Sequence, residues 1–175
     1  LAQCREQQGG QQFRHCEVRP VNAPGGGPVH VNAQPNGGVQ LTGWDQPDIA
    51  GSARIQVQAD SEADARAIAS QISVDTGSGA IRSTGPEPGS GRSWSVSFVL
   101  SAPRMSDVEI ETVNGPVAIT GISGQIRATT TNGPLSLKEL GGHVYARATN
   151  GPLSVVLAGT FWQGEGLDAE TTNGP

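Results

Sequence analysis

Apolar and polar residues alternate along the last third of the chain in short units that glycines separate. The apolar pairs of successive units are Val117/Ile119, Ile126/Ala128, Leu135/Leu137, Val144/Ala146 and Leu153/Val155. The residues between them, expected on the opposite face, are Ala118, Arg127, Ser136, Tyr145 and Ser154. A period of two is typical of half-buried strands. Each unit therefore predicts one short strand and a glycine turn, roughly nine residues in all.

An Asn-Gly-Pro tripeptide recurs through the same region, beginning at Asn114, Asn132, Asn150 and Asn173. The first two steps are 18 residues long (132 minus 114, 150 minus 132) and the third is 23 (173 minus 150). A strand of this length cannot bury its apolar face alone, so successive units must stack into one narrow core. The sequence predicts an all-β, single-domain β-solenoid, similar to a parallel β-helix, with two units in each 18-residue turn.

The Asn-Gly-Pro corner has a structural explanation that needs no ligand. Asn and Gly tolerate a positive φ at a tight bend, and Pro fixes φ at the first residue of the next strand. Because the Asn recurs once per turn, its side-chain amides are expected to form a hydrogen-bonded ladder. The threonines before the corners are expected to form a similar outward row: Thr112, Thr130, Thr131, Thr149, Thr171 and Thr172.

The same unit occurs once earlier, where residues 36–44 match residues 114–122 at the Asn, Gly, Val, Thr and Gly positions. We therefore divide the chain into an N-terminal tail, 1–28, and a β-solenoid, 29–175. The solenoid has an irregular first half, 29–106, and regular repeats, 107–175. Alternation predicts longer strands over 53–59 and 93–100, and 84–92 has the composition of a loop. One short helix is predicted over 61–72, with Ser61 as its cap.

These features together resemble the bacterial "putative adhesin" β-strand-repeat family, a domain of unassigned function. The resemblance covers Val29 to Pro175. It rests on the repeated unit, the Gly43-Trp44-Asp45 step, the short helix near Ala65 and the strand end Ser101-Ala-Pro103. It implies a β-solenoid and carries no catalytic motif over to this chain. The N-terminal segment lies outside it.

Composition narrows the class of function. Only 15% of the residues are charged and 4% are aromatic, whereas charged residues make up about a quarter of ordinary globular domains. A formal net charge of −5 without a Lys/Arg cluster argues against nucleic acid as a partner. No apolar run approaches the roughly 18 residues of a membrane span, which predicts a soluble chain. These properties favour an extracytoplasmic scaffold over a typical enzyme.

The first residues suggest export. Leu1-Ala2-Gln3 resembles the end of a secretory signal, which implies a periplasmic or extracellular protein. In an oxidising compartment Cys4 and Cys16 are expected to form a disulfide; the alternative is a pair of free thiols. Lipidation at Cys4 is not expected, because Gln is a poor residue before a lipoprotein cysteine.

No catalytic, cofactor-binding or metal-binding constellation emerges from the sequence, so we predict no enzyme activity and no cofactor. The histidines His15, His30 and His143 lack the spacing of a metal site. The alternative is a polysaccharide hydrolase with paired carboxylates, for which Asp45 with Asp48 and Glu109 with Glu111 are the candidates. Such pairs are common on solvated strand faces.

Two functional classes therefore remain open. The first is a structural or interaction module of the cell envelope that docks on a partner protein, such as a membrane-protein assembly on its periplasmic side. The second is an adhesin or glycan-binding surface. Ice binding through the threonine rows is disfavoured by their irregularity. Trp44 and Trp94 fall at core-facing positions, so the interface candidates are Phe161 and Trp162, which lie where the third repeat is lengthened.

Overall fold

A computed structural model describes residues 4, 13–33, 35–157, 162 and 164–175. Within these residues the fold is all-β with one α-helix, as the sequence predicts. The strands form two mixed seven-stranded sheets. The first contains β1 (Phe13–Ala23), β3 (Val39–Trp44), β4 (Ile49–Ala59), β7 (Ser93–Pro103), β9 (Val117–Thr120), β11 (Leu135–Lys138) and β13 (Leu153–Val156). The second contains β2 (Val29–Asn32), β5 (Ser73–Asp75), β6 (Ala80–Thr84), β8 (Val108–Asn114), β10 (Ser123–Asn132), β12 (Gly141–Asn150) and β14 (Gly166–Thr171).

The repeats place one strand per turn in each sheet. From β8 onward the chain passes from one sheet to the other at every corner, and strands one turn apart pair in parallel. The register follows the 18-residue period, so Ile126 lies beside Val144 and Leu135 lies beside Val117. Identical in-register positions therefore meet along the stack, which gives each face of each sheet continuous rows of side chains.

The apolar rows form a core between the two sheets. The eight inward positions from Val117 to Ala146 are at most 2% exposed, whereas Leu153 and Val155 are only partly buried against the same core. The earlier unit joins this stack directly, because Val39 pairs with Val117 and Leu41 with Ile119. A segment 78 residues earlier in the sequence (117 minus 39) thus supplies the neighbouring turn, as the match between 36–44 and 114–122 indicates.

Residues 13–23 of the predicted tail form a strand that belongs to the first sheet. Strand β1 pairs antiparallel with β4 over its full length and forms an edge of the first sheet. The helix α1 (Glu62–Gln71) begins after Ser61, whose hydroxyl accepts a hydrogen bond from the Asp64 amide at 3.1 Å. Arg19 of β1 donates to the carbonyls of Ile72 and Ala69 at the other end of this helix. These bonds fix the segment to the body of the protein.

Two expectations about the corners are wrong. The glycines Gly115, Gly133 and Gly151 do not adopt a positive φ. Each instead lies so close to the corner one turn below that a Cβ on Gly133 would collide with the Gly115 carbonyl. The second correction concerns the threonines: Thr112 and Thr130 are buried, and their hydroxyls donate to the carbonyls of Gly37 and Gly115 at 2.7 and 3.2 Å. These hydroxyls satisfy corner carbonyls that the sheets leave unpaired.

Candidate functional site: the outer face of the second sheet

Charged and aromatic side chains converge on the outer face of the second sheet. Parallel register places His30, Glu109, Arg127, Tyr145 and Asp168 in one row across five strands. A second row, two residues further along each strand, contains Asn32, Glu111, Thr129, Arg147 and Glu170. Neighbouring strands lie about 4.8 Å apart, so the side chains within one row are in reach of one another.

A shallow cleft of about 410 Å³ opens on this face, and we call it the second-sheet cleft. It is lined by Pro28, His30, Asp107, Val108, Glu109, Gln125, Ile126, Arg127, His143 and Tyr145. Val108 and Ile126 point into the core, so the polar and aromatic members supply the accessible groups. The cleft therefore contains carboxylates, a guanidinium, imidazoles, an amide and a phenol within one small volume.

Tyr145 is held by two arginines. The guanidinium carbon of Arg127 lies 4.6 Å from the centroid of the Tyr145 ring, and that of Arg147 lies 4.1 Å from it. These distances are typical of cation–π contacts. Tyr145 is half-buried, so its ring is fixed by neighbours that also orient the two guanidinium groups. We call this arrangement the Arg127–Tyr145–Arg147 stack.

Arg147 is anchored from the other side by two carboxylates. Its guanidinium donates to both carboxylate oxygens of Asp168, at 3.0 and 2.9 Å, and lies 3.2 Å from Glu170. These hydrogen bonds from Arg147 lower the pKa of Asp168, and the same bonds raise the pKa of Arg147. Arg147 is therefore a structural cation, whereas Arg127 has no carboxylate partner among the described residues.

Two histidine–glutamate pairs flank the cleft. His30 Nδ1 lies 2.9 Å from Glu109 Oε2, and His143 Nδ1 lies 2.9 Å from Glu165 Oε2. Each histidine is about half exposed. No group of three or more His, Cys, Asp or Glu side chains that could hold a metal occurs in the described part of the chain.

The corner asparagines lie on a different surface. The Nδ2 of each asparagine donates to the Oδ1 of the one before it. Asn36, Asn114, Asn132, Asn150 and Asn173 thus form a ladder with distances of 2.8 to 2.9 Å. Asn36, in the earlier unit, extends the four asparagines of the repeats. Every asparagine amide in this ladder is hydrogen-bonded to another, and a structural role for the ladder stays a prediction.

Of the two predicted interface residues, the structure describes Trp162. Phe161 lies outside the described residues. Trp162 is partly buried against the core, and its indole N–H donates to the Gly142 carbonyl at 3.0 Å. Trp162 does not lie in the second-sheet cleft, and its role in an interface stays a prediction. Cys4 and Cys16 form the expected disulfide, with their Cα atoms 5.6 Å apart.

The carboxylate pairs considered for a hydrolase differ in their surroundings. Asp45 is 83% exposed and pairs with Arg104 at 2.8 Å. Glu109 and Glu111 share the outer face of β8, but Glu109 faces His30 and Glu111 is exposed. A glycosidase acid needs a neighbourhood that keeps its carboxyl protonated, such as an apolar pocket. Glu109 lines the second-sheet cleft among mainly polar and charged side chains.

Sequence reasoning missed the Arg127–Tyr145–Arg147 stack. Alternation alone assigned Arg127 and Tyr145 to the outer face, and the 18-residue spacing between them (145 minus 127) places them on adjacent strands. The alternation and the 18-residue spacing together were the signal from which the contact between Arg127 and Tyr145 could have been predicted. The direction of each side chain along the row could not be obtained from it, because neighbouring carboxylates compete for the same guanidinium groups.

No protein-family model matches this chain, and no curated protein matches it. Among solved structures, it is similar to a "putative cell adhesion protein" from Clostridium sporogenes, with 9% identity and a TM-score of 0.33 over 92% of this chain and 96% of that one. It is also similar to a "putative adhesin" from Bacteroides fragilis, with 10% identity and a TM-score of 0.32 over 90% and 95% of the two chains. A "putative adhesin" from Parabacteroides distasonis has 6% identity and a TM-score of 0.30 over 89% and 78%. Likeness at these TM-scores is too slight to carry a functional inference.

Proposed function

We propose that this chain is a non-enzymatic interaction module of the bacterial cell envelope, in which a β-solenoid holds one recognition face. The parallel pairing at 18-residue steps and the alternation of strands between two sheets support the solenoid. A scaffold of this kind positions outward side chains at fixed spacings, because each turn rests on the one below it. Recognition then depends on which residues occupy the outward rows.

The observation that carries this proposal is the Arg127–Tyr145–Arg147 stack beside the second-sheet cleft. Arginine and tyrosine are frequent energetic anchors of binding surfaces, since both combine a large contact area with polar groups. The outer face of the repeats in the first sheet differs, because it carries mainly small or uncharged residues such as Ala118, Ser136 and Ser154. The second sheet is therefore the face we expect to meet a partner.

The disulfide supports an exported location for this protein. Bonds between cysteines persist in the periplasm and outside the cell, whereas the cytosol keeps most thiols reduced. The Cys4–Cys16 bond thus supports a periplasmic or extracellular protein. None of the described helices is long and apolar enough to cross a membrane.

A site-specific photo-cross-linker tests the recognition face. A diazirine amino acid at Thr129 would lie on the outer face of the second sheet, and one at Ser136 would lie on the outer face of the first. Both positions are half-exposed, so they form a matched pair. Irradiation of intact cells of the source bacterium should give adducts from position 129 that position 136 lacks. Equal adducts from both positions would refute the assignment of the face.

Docking on a partner protein near Trp162 is the second candidate, and one observation favours it. Val156 and Leu157 precede this region and are 49% and 54% exposed. Adjacent apolar side chains on a surface are a common feature of protein interfaces. Replacing Phe161 and Trp162 by Ser tests this candidate: a folded variant that loses its partner supports it. An unfolded variant together with a monomeric wild-type protein in native membranes would identify these residues as core packing instead.

A further inference from the structure

Glu109 and Arg127 lie opposite each other on β8 and β10 but do not form the ion pair that their positions allow. They are direct partners in the parallel register, with backbones about 4.8 Å apart. Opposite charges at such positions usually interact. Here Glu109 turns toward His30, with 2.9 Å between Oε2 and Nδ1, and Arg127 turns toward the ring of Tyr145. The two side chains diverge, and both line the second-sheet cleft.

This divergence leaves complementary hydrogen-bonding groups facing the same space. A carboxylate accepts hydrogen bonds at two oxygens, and His30 lies against only one oxygen of Glu109. A guanidinium has five N–H donors, and stacking over a ring uses none of them. Gln125 adds an amide that both donates and accepts, and Tyr145 adds a phenol. A ligand that fits between these residues must donate to one wall and accept from the other.

Saccharide hydroxyls meet this requirement, because each hydroxyl both donates and accepts. Two neighbouring hydroxyls on one ring could join Glu109 to Arg127. The guanidinium is already oriented by Tyr145, so little side-chain freedom is lost when the ligand binds. A volume of about 410 Å³ is within the usual range for small-ligand sites.

The charges around the cleft restrict the class of saccharide. Asp107 and Glu109 line it, and Glu165 borders it through its contact with His143. Among the described lining residues Arg127 is the one guanidinium, and Arg147, which also contacts the Tyr145 ring, is paired with Asp168 and Glu170. Like charges within one small cleft repel each other, and a uronic or sulfated sugar would add to the excess of negative charge there. A neutral sugar avoids this repulsion, and an amino sugar would be attracted.

We propose that the second-sheet cleft binds a neutral or amino saccharide between Glu109 and Arg127. This inference rests on the proposed recognition function and names its ligand. Glu109 accepts hydrogen bonds from ligand hydroxyl or ammonium groups, Arg127 donates to ligand oxygens, and Tyr145 positions Arg127. The ligand lies across β8 and β10, so a longer oligosaccharide would run across the strands, along the rows of outward side chains.

Binding to an array of immobilised oligosaccharides tests the proposal, followed by calorimetric titration of the best soluble oligosaccharide. The array contains neutral hexose, N-acetylhexosamine, hexosamine and uronic-acid oligomers. We expect saturable binding within the first three groups and none to uronic acids. Glu109→Gln and Arg127→Gln should each weaken binding about tenfold or more, since each removes a charged hydrogen-bonding partner. The matched control Ser136→Ala, on the first sheet, should bind as the wild type does.

Absence of binding to every neutral and amino oligosaccharide would overturn the inference, as would a preference for uronic acids. Equal binding by Glu109→Gln, Arg127→Gln and Ser136→Ala would move the site elsewhere and also overturn it. The cross-linking experiment separates this failure from that of the proposed function. Protein adducts at position 129 without saccharide binding would retain the recognition face and replace its ligand by a protein. Absence of both signals would remove the face itself.

Discussion

Replacing Asn132 by Ala should destabilise the protein by breaking the centre of the asparagine ladder. The Asn132 amide donates to Asn114 Oδ1 at 2.8 Å and accepts from Asn150 Nδ2 at 2.9 Å, so the variant loses two side-chain hydrogen bonds. Each bond contributes about 0.5 to 1 kcal/mol at a solvent-exposed position, which gives a loss of about 1 to 2 kcal/mol. In a domain of this size that loss lowers the melting temperature by about 2 to 8 °C.

The matched control is Thr131→Ala, an exposed neighbour outside the ladder. Thermal and urea unfolding of both variants measure the difference. A free energy of unfolding for Asn132→Ala within about 0.5 kcal/mol of that for Thr131→Ala would contradict the structural role of the ladder, because changes of that size are ordinary for surface substitutions.

A second substitution, Asn132→Asp, gives the ladder a pH signature. Its carboxylate can accept from Asn150 but faces the Oδ1 of Asn114, so the charged form is disfavoured in the folded state. The pKa of this Asp should therefore be higher in the folded protein than in the unfolded chain. The free energy of unfolding of this variant should approach that of the wild type as the pH falls through that pKa, because the protonated acid can donate to Asn114. A deficit independent of pH would argue against the hydrogen bond.

Three further predictions concern the core, the disulfide and the ion pair. Leu137→Asp should abolish folding, since an unpaired buried charge costs several kcal/mol, whereas the outward Ser136→Asp variant should fold; circular dichroism distinguishes the two outcomes. By mass spectrometry, the mass of freshly isolated protein should be about 2 Da lower without reductant than after reduction, because a disulfide lacks two thiol hydrogens. Two alkylatable thiols in that protein would exclude the disulfide. Arg147→Gln should raise the pKa of Asp168 toward its ordinary value by NMR titration, because its main hydrogen-bond donor is lost. The wild-type pair stabilises the fold above the unfolded pKa of Asp168 and loses this effect as the pH falls through the lower folded pKa; an unchanged pKa in the variant would contradict the pairing.

Much of the architecture follows from local pattern. Alternation at Val117/Ile119 and Leu135/Leu137 identified the buried faces, since the period of a strand depends only on backbone geometry. The match of 36–44 to 114–122 indicated a shared stack, and the two units do pair. Helix α1 begins one residue after its predicted cap, because the cap itself is a local signal.

The candidate site depends on contacts that local pattern does not specify. Parallel pairing brought Glu109, Arg127 and Tyr145 into one row, but the choice of Arg127 for Tyr145 and of Glu109 for His30 was decided by all neighbours together. The antiparallel docking of β1 on β4 likewise joins segments about 36 residues apart, through contacts that no short window contains. Sequence alone thus determined the strand period, the buried faces and the repeat length, each of which is a property of the local backbone. Tertiary structure alone decided which outward side chains meet, because that depends on competing partners from separate strands.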